Sequence, residues 1–167
     1  MKGFTVIEFV TAILLVAILG ASVSSRWFDS AEFYASTASA EVLAVVRLAQ
    51  RVAIARPEVV VSMTINQVGD EWRLVVQADA VGVISTLHSL VIKASSSIAV
   101  TAGGAPALLS ATNNLTLTYD ALGNITAVSV AAVPGTTANG VSLQVAGSAN
   151  HLMCISPLGF AHAGNCI

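Results

Sequence analysis

Apolar residues follow three different patterns along this chain. Over residues 4–25 they form a run broken by a single charged residue, Glu8. Further on, Ala38, Val42, Val45, Ala49 and Val52 recur at steps of three and four, while Glu41, Arg47 and Arg51 lie off that stripe. Such spacing is one face of a helix. Beyond Pro57 the period falls to two: Leu115, Leu117 and Tyr119 alternate with Thr116 and Thr118, and residues 125–130 and 141–145 alternate likewise. That is the pattern of half-buried strands.

The first two patterns predict one continuous helix. Residues 4–25 would rise about 33 Å, enough for a bilayer core of ~30 Å. Lys2 before the run and Arg26 after it would leave the N-terminus inside and the remainder outside after translocation. Residues 30–55 contain no Pro or Gly, and Arg56-Pro57 stops the helix because Pro cannot continue the hydrogen-bond ladder. The expected helix is about 50 residues long, or ~75–80 Å, and is weakest where Gly20, Ser22, Ser24 and Ser25 cluster. Strands are expected over 59–65, 72–78, 83–92, 115–119, 125–131, 141–146 and 152–156. Turn signals separate them at 66–70, 102–104, 120–124, 134–135 and 147–150, and residues 95–105 and 134–140 read as loops. Short connections imply antiparallel pairing. The predicted fold class is therefore α+β, with one long N-terminal helix, membrane-spanning in its first half, packed on an antiparallel β-sheet head.

Charge narrows the choice of partners. The net charge is −2, and after Leu74 the only charged side chains are Asp79, Lys93 and Asp120. A surface of that kind repels neighbours weakly and suits a subunit packed among others. Arg73 and Lys93 are the only Lys or Arg residues after Pro57, so no basic stripe exists for nucleic acid, and none is expected as a partner. His88, His151 and His162 are scattered and no metal-ligand spacing is present, so neither a metal nor a cofactor is expected. No nucleophile motif or carboxylate pair is organised, so no catalytic residue is assigned and the chain reads as a non-enzyme. After an export segment, Cys154 and Cys166 are expected to form a disulfide closing a short loop, contributing about 2–3 kcal/mol. Two unrelated thiols are the alternative.

Glu8 needs an explanation, because an acidic residue within a membrane helix costs roughly 2.5–3.5 kcal/mol at its centre. In one reading residues 1–25 are an ordinary secretory signal, with Lys2 as n-region, residues 9–19 as apolar h-region and Ala21 or Ser25 before the cut. The chain is then a secreted β-rich binding domain. Against this stand Glu8 at the entrance of the h-region and a helical pattern that continues past residue 30.

Lys2-Gly3-Phe4-Thr5-Val6-Ile7-Glu8, followed by the apolar run, resembles the class III signal of type IV prepilins and type II secretion pseudopilins. The resemblance implies cleavage by prepilin peptidase after Gly3, methylation of the new N-terminal Phe4, and retention of the helix for assembly. It also implies that Glu8 pairs with the Phe4 amine of a neighbouring subunit, the amine of its own chain being the alternative partner. The implied divisions are a leader at 1–3, a transmembrane and assembly half-helix at 4–25, an amphipathic half-helix at 26–57 and a β-rich head at 58–167. Prepilin peptidase, other pilin or pseudopilin subunits and the inner membrane are the implied partners. The location follows: inner membrane first, with a periplasmic head, then a pilus or periplasmic pseudopilus.

Residues 49–56, 119–123 and 154–159 are similar to segments of FimT/GspH-like minor pilins and pseudopilins, and the Cys154/Cys166 pair resembles that of a minor pilin of mannose-sensitive haemagglutinin pili. Many pilins carry a Pro near the position of Ser25; this chain does not.

Overall fold

Thr5 and Glu8 together start the first helix. In the computed structural model, which describes residues 5–24, 30–147 and 149–166, α1 runs over Val6–Ser24. Glu8 Oε2 accepts hydrogen bonds from the Thr5 backbone N–H at 2.9 Å and the Thr5 hydroxyl at 3.0 Å. This capping arrangement satisfies a donor that the helix itself leaves unpaired. α1 belongs to a first unit, Met1–Ser30, and the rest of the chain forms a second, Ala31–Ile167.

The expected α+β, pilin-like fold with one long helix on a sheet head is corrected by these elements. The helical region is two shorter helices, α1 of 19 residues and α2 (Ser30–Ala55) of 26, and the remaining elements are eleven strands in two antiparallel sheets. Gly20, Ser22 and Ser24, all poor helix formers, occupy the last turns of α1.

The membrane expectation is corrected as well. Among the described residues, no helix is long and apolar enough to cross a membrane. α1 rises about 28 Å, and its uncharged apolar stretch between Glu8 and Gly20 covers only residues 9–19, a length short of a membrane span. The expectations of a membrane-spanning half-helix at 4–25 and of an inner-membrane location are overturned by that finding.

The second unit is built around α2. Ala35, Ala38, Val42, Val45, Val46, Ala49 and Ala53 are buried, a wider stripe than the sequence spacing indicates. Val52 is only partly buried, and Val46 and Ala53 are buried instead. The seven strands that are not at a sheet edge supply most of the facing core. The first sheet has the order β3-β2-β1-β6-β7-β8, with β1 (Val60–Val68), β2 (Glu71–Ala80), β3 (Val83–Lys93), β6 (Leu115–Tyr119), β7 (Ile125–Val130) and β8 (Val133–Pro134). The second has the order β11-β10-β9-β4-β5, with β4 (Ile98–Thr101), β5 (Ala107–Leu108), β9 (Val141–Ala146), β10 (Asn150–Ile155) and β11 (Ala161–Ala163). Val61, Met63, Ile65, Leu74, Leu117 and Leu143 join the α2 stripe in one apolar cluster.

Four strands lie outside the sequence expectation: β4, β5, β8 and β11. Each spans four residues or fewer, too few to display a period. They exist because a longer neighbour offers them a ladder, as β9 does for β4 and β10 for β11. β4 falls inside the stretch 95–105 that reads as a loop. The turn joining β2 to β3 is a two-residue turn with positive φ at Val81 (54°) and Gly82 (87°). Glycine suits such a position; a β-branched valine is rare there. The Asp79 carboxylate supports the turn by accepting a 2.7 Å hydrogen bond from the Gly82 N–H.

Candidate functional site

Three segments distant in sequence meet at one corner of the second unit: the C-terminal end of α2, the β6–β7 turn and the β10–β11 turn. Each is shaped by its own local chemistry. In the β6–β7 turn, Asp120 Oδ1 accepts from the backbone N–H groups of Leu122 (2.9 Å) and Asn124 (2.8 Å), and Oδ2 accepts from the Asn124 side-chain amide (3.0 Å). The Asn124 side-chain amide, with the backbone N–H groups, holds the Asp120 carboxyl below its ordinary range against an opposing effect of burial. Gly123 completes the turn with φ of 82°. In the β10–β11 turn, Gly159 takes φ of 80° and its N–H donates to Ser156 O at 2.8 Å.

Close approach, as well as φ, requires both glycines. A side chain at Gly159 would run into Gly123 O, and one at Gly123 would meet Ile54 Cδ1 at 2.9 Å. The two turns are also bonded directly, Ile125 N–H donating to Pro157 O at 2.9 Å.

Gln50 closes this corner from the helix side. It is the one buried polar residue among the described residues, and its Nε2 donates to Leu158 O at 2.9 Å. One turn earlier, Arg47 Nε donates to Ala161 O at 3.0 Å. A buried carbonyl left without such a donor is costly, so both side chains fix where α2 ends relative to the turns. Tyr119, just before the β6–β7 turn, is buried, and that burial pushes its phenol pKa well up.

Outward, the same corner is apolar and cationic. Ile54, Leu122, Leu158 and Phe160 are exposed, Leu122 by 77%, and the guanidinium-bearing Arg47, Arg51 and Arg56 are exposed beside them on α2 and its end. Neither Arg47 nor Arg51 is ion-paired among the described residues. A groove of about 320 Å³ is lined by Arg47, Gln50, Arg51, Ile54, Phe160 and Ala161. Such a surface can hold apolar side chains while guanidinium groups bind carboxylates.

The residues singled out from the sequence are distributed as follows. Gly3 and Phe4, the expected cleavage and methylation positions, lie outside the described residues, as do Arg26, Trp27 and Phe28. Glu8 caps its own helix through Thr5. Cys154 and Cys166 are disulfide-bonded with Cα atoms 5.0 Å apart, tying β10 to the C-terminal segment. The three histidines are not brought together. His151 Nε2 lies 2.8 Å from Glu32 Oε1, while Glu32 Oε2 accepts from the Ala149 N–H at 2.9 Å. His88 is on β3, and His162 on β11 has its Nδ1 3.0 Å from Ala163 O. Among the described residues no three His, Cys, Asp or Glu side chains form a metal-binding group.

Residues 49–56, 119–123 and 154–159 were visible in the sequence as separate segments, and the fold brings all three together. Sequence reasoning missed the role of Gln50. The available signal was a polar side chain next to the apolar stripe and shortly before the helix stop at Pro57.

No protein-family model, no curated protein and no solved structure matches this chain.

Proposed function

We propose that this chain is an exported β-rich binding domain without catalytic function, in which the N-terminal segment directs export and residues 31–167 do the work. The observation that carries this reading is the apolar and cationic corner formed by Arg47, Arg51, Ile54, Leu122, Leu158 and Phe160. Two glycine turns and Gln50 hold it in place, so the surface is preorganised and binding need not order it. Its occupant is a protein segment that presents carboxylates beside apolar side chains, the chemistry complementary to arginines flanking Ile54 and Phe160. The export part is supported by the division of the chain at Ser30 and by the apolar stretch 9–19, which has the length of a signal h-region.

A second reading is favoured by a different observation. Every described side chain of α1 from Val6 to Leu19 is exposed, and all but a few are apolar. If the helix is retained after cleavage at Gly3, it is a surface for packing against other subunits. The chain is then a structural filament subunit of the minor pilin or pseudopilin kind, processed by prepilin peptidase, with Phe4 methylated and Glu8 available to a neighbour.

One measurement separates the two. Mass spectrometry of the mature N-terminus in an exporting bacterial host is expected to find it near residue 22 or 26. N-methyl-Phe4 would reject the signal-peptide reading and establish the subunit reading. The binding site is tested separately: the double substitution Arg47→Glu with Arg51→Glu is expected to abolish capture of acidic, apolar peptides from a displayed library, and unchanged capture would remove the corner as the site.

A further inference from the structure

The two sheets end in four edge strands, and three of them are blunted. β8 is two residues long and contains Pro134, which has no N–H to offer. β5 is also two residues long. β11 has three residues, and Arg47 already occupies its Ala161 carbonyl. Short edges, proline and capping side chains are the ordinary devices that prevent a sheet from pairing with another chain.

β3 is neither short, proline-containing nor capped; its one interruption is a register shift at Leu87, between the pairs Val76–His88 and Gln77–Thr86. It runs for eleven residues at the end of the six-stranded sheet, without proline, and its only Lys, Arg, Asp or Glu is the terminal Lys93. Val83, Ile84 and Val91 are exposed. Beside the strand, His88 and Leu90 form a groove of about 310 Å³ with Glu41, Ala44, Val45 and Leu48 of α2. An added strand would therefore gain main-chain hydrogen bonds along the edge and an apolar groove for alternate side chains, the two ingredients of strand addition.

We propose that β3 is a self-association edge, pairing antiparallel with β3 of a second copy of this chain to join two six-stranded sheets. The chemistry of the strand favours its own copy. In an antiparallel pair centred on Ser89, Leu90 of one copy stands opposite His88 of the other, on the groove side of both sheets. Lys93 then falls opposite the uncharged 85–87 segment, so no like charges meet across the pair. The approaching surfaces carry few charges: Lys93 ends the strand, and Glu41 lies in the groove beside it. Pairing through a two-fold axis also closes the assembly at two copies, since it consumes the one long open edge. This inference shares no residue with the apolar and cationic corner.

The test uses the full-length chain in a nonionic detergent, which keeps the apolar α1 covered at every concentration. Sedimentation velocity is expected to show a concentration-dependent dimer, and hydrogen exchange of the 83–93 peptide is expected to slow as the dimer forms. Val91→Lys and Ser89→Lys, both at exposed positions, are each expected to weaken the dimer at least tenfold while leaving thermal unfolding unchanged. A chain that stays monomeric throughout would overturn the proposal. So would a dimer that both variants leave intact with no slowing at β3. If the β3 amides are protected only when a foreign strand-forming peptide is added, the edge belongs to another protein, and self-association is equally refuted.

Discussion

The two helices of this protein reverse the usual expectation about apolar content. α1 is the more apolar, with Glu8 its only charged residue, yet its described side chains are exposed. α2 carries Glu32, Glu41, Arg47 and Arg51, and it buries seven apolar residues. The difference lies in pattern. The apolar side chains of α1 are spread all round the helix, and among the described residues of its own unit nothing covers them. Those of α2 are gathered on one stripe that two sheets can meet. Small residues matter too: Ala35, Ala38, Ala49 and Ala53 let the α2 backbone approach the strands closely. α2 is therefore a structural part of its unit, while α1 is held by its own ladder and the Thr5–Glu8 cap.

The strongest attack on this contrast is an equal insult to both helices. Val42→Asp places an unpaired carboxylate in the core and is expected to cost about 3–5 kcal/mol, enough to unfold the second unit. Ile13→Asp in α1 is expected to leave the unfolding midpoint of that unit unchanged. Urea unfolding followed by Trp72 fluorescence reads both, and equal effects would break the comparison.

Next in size is the disulfide. Replacing Cys154 and Cys166 together by Ser should lower the stability of the second unit by about 2–3 kcal/mol, with α1 untouched. Calorimetry checks it, and an unchanged melting temperature would mean that the C-terminal segment is held by other contacts.

Gln50→Ala sharpens the role of α2. Loss of the donor to Leu158 O should cost about 1–3 kcal/mol and speed hydrogen exchange in the 156–160 turn before it affects β1 or β2. A uniform change across the unit would argue that Gln50 contributes only general packing.

The smallest effect concerns pH. The Asp120 carboxyl is held below its ordinary range by the Asn124 amide and neighbouring N–H groups, so the folded chain favours the ionised form. That contribution is complete above the unfolded carboxyl value of about 4 and disappears as pH falls through the lower folded value. Asp120→Asn should flatten the acid limb of a stability-versus-pH curve, measured by chemical denaturation at constant salt. Tyr119 acts at the opposite end: burial favours its neutral phenol, so its contribution is present below pH of about 10 and lost as pH rises further.

Much of the local structure was legible in advance. The stop at Arg56-Pro57, the inward positions Leu115, Leu117 and Tyr119, and the turn at 120–124 all follow from interactions within a few residues. One continuous helix was misread where α1 ends at Ser24 and α2 begins at Ser30, because a run of helix-forming residues indicates what can be helical and not how long one helix is. The candidate site was legible only in pieces. Its arginines, glycines and exposed Leu and Phe were visible as residues, but their convergence depends on β6–β7 and β10–β11 meeting the same end of α2.

The sequence alone determined where helices, strands and turns could form, because period, proline stops and glycine turns act through the nearest neighbours. The tertiary structure decided which strands pair, why four short strands exist at all, and which edge stays open. It also decided that Gln50 bonds Leu158, 108 positions away. Those outcomes depend on contacts between distant segments, whose energies appear only once the chain has brought them together.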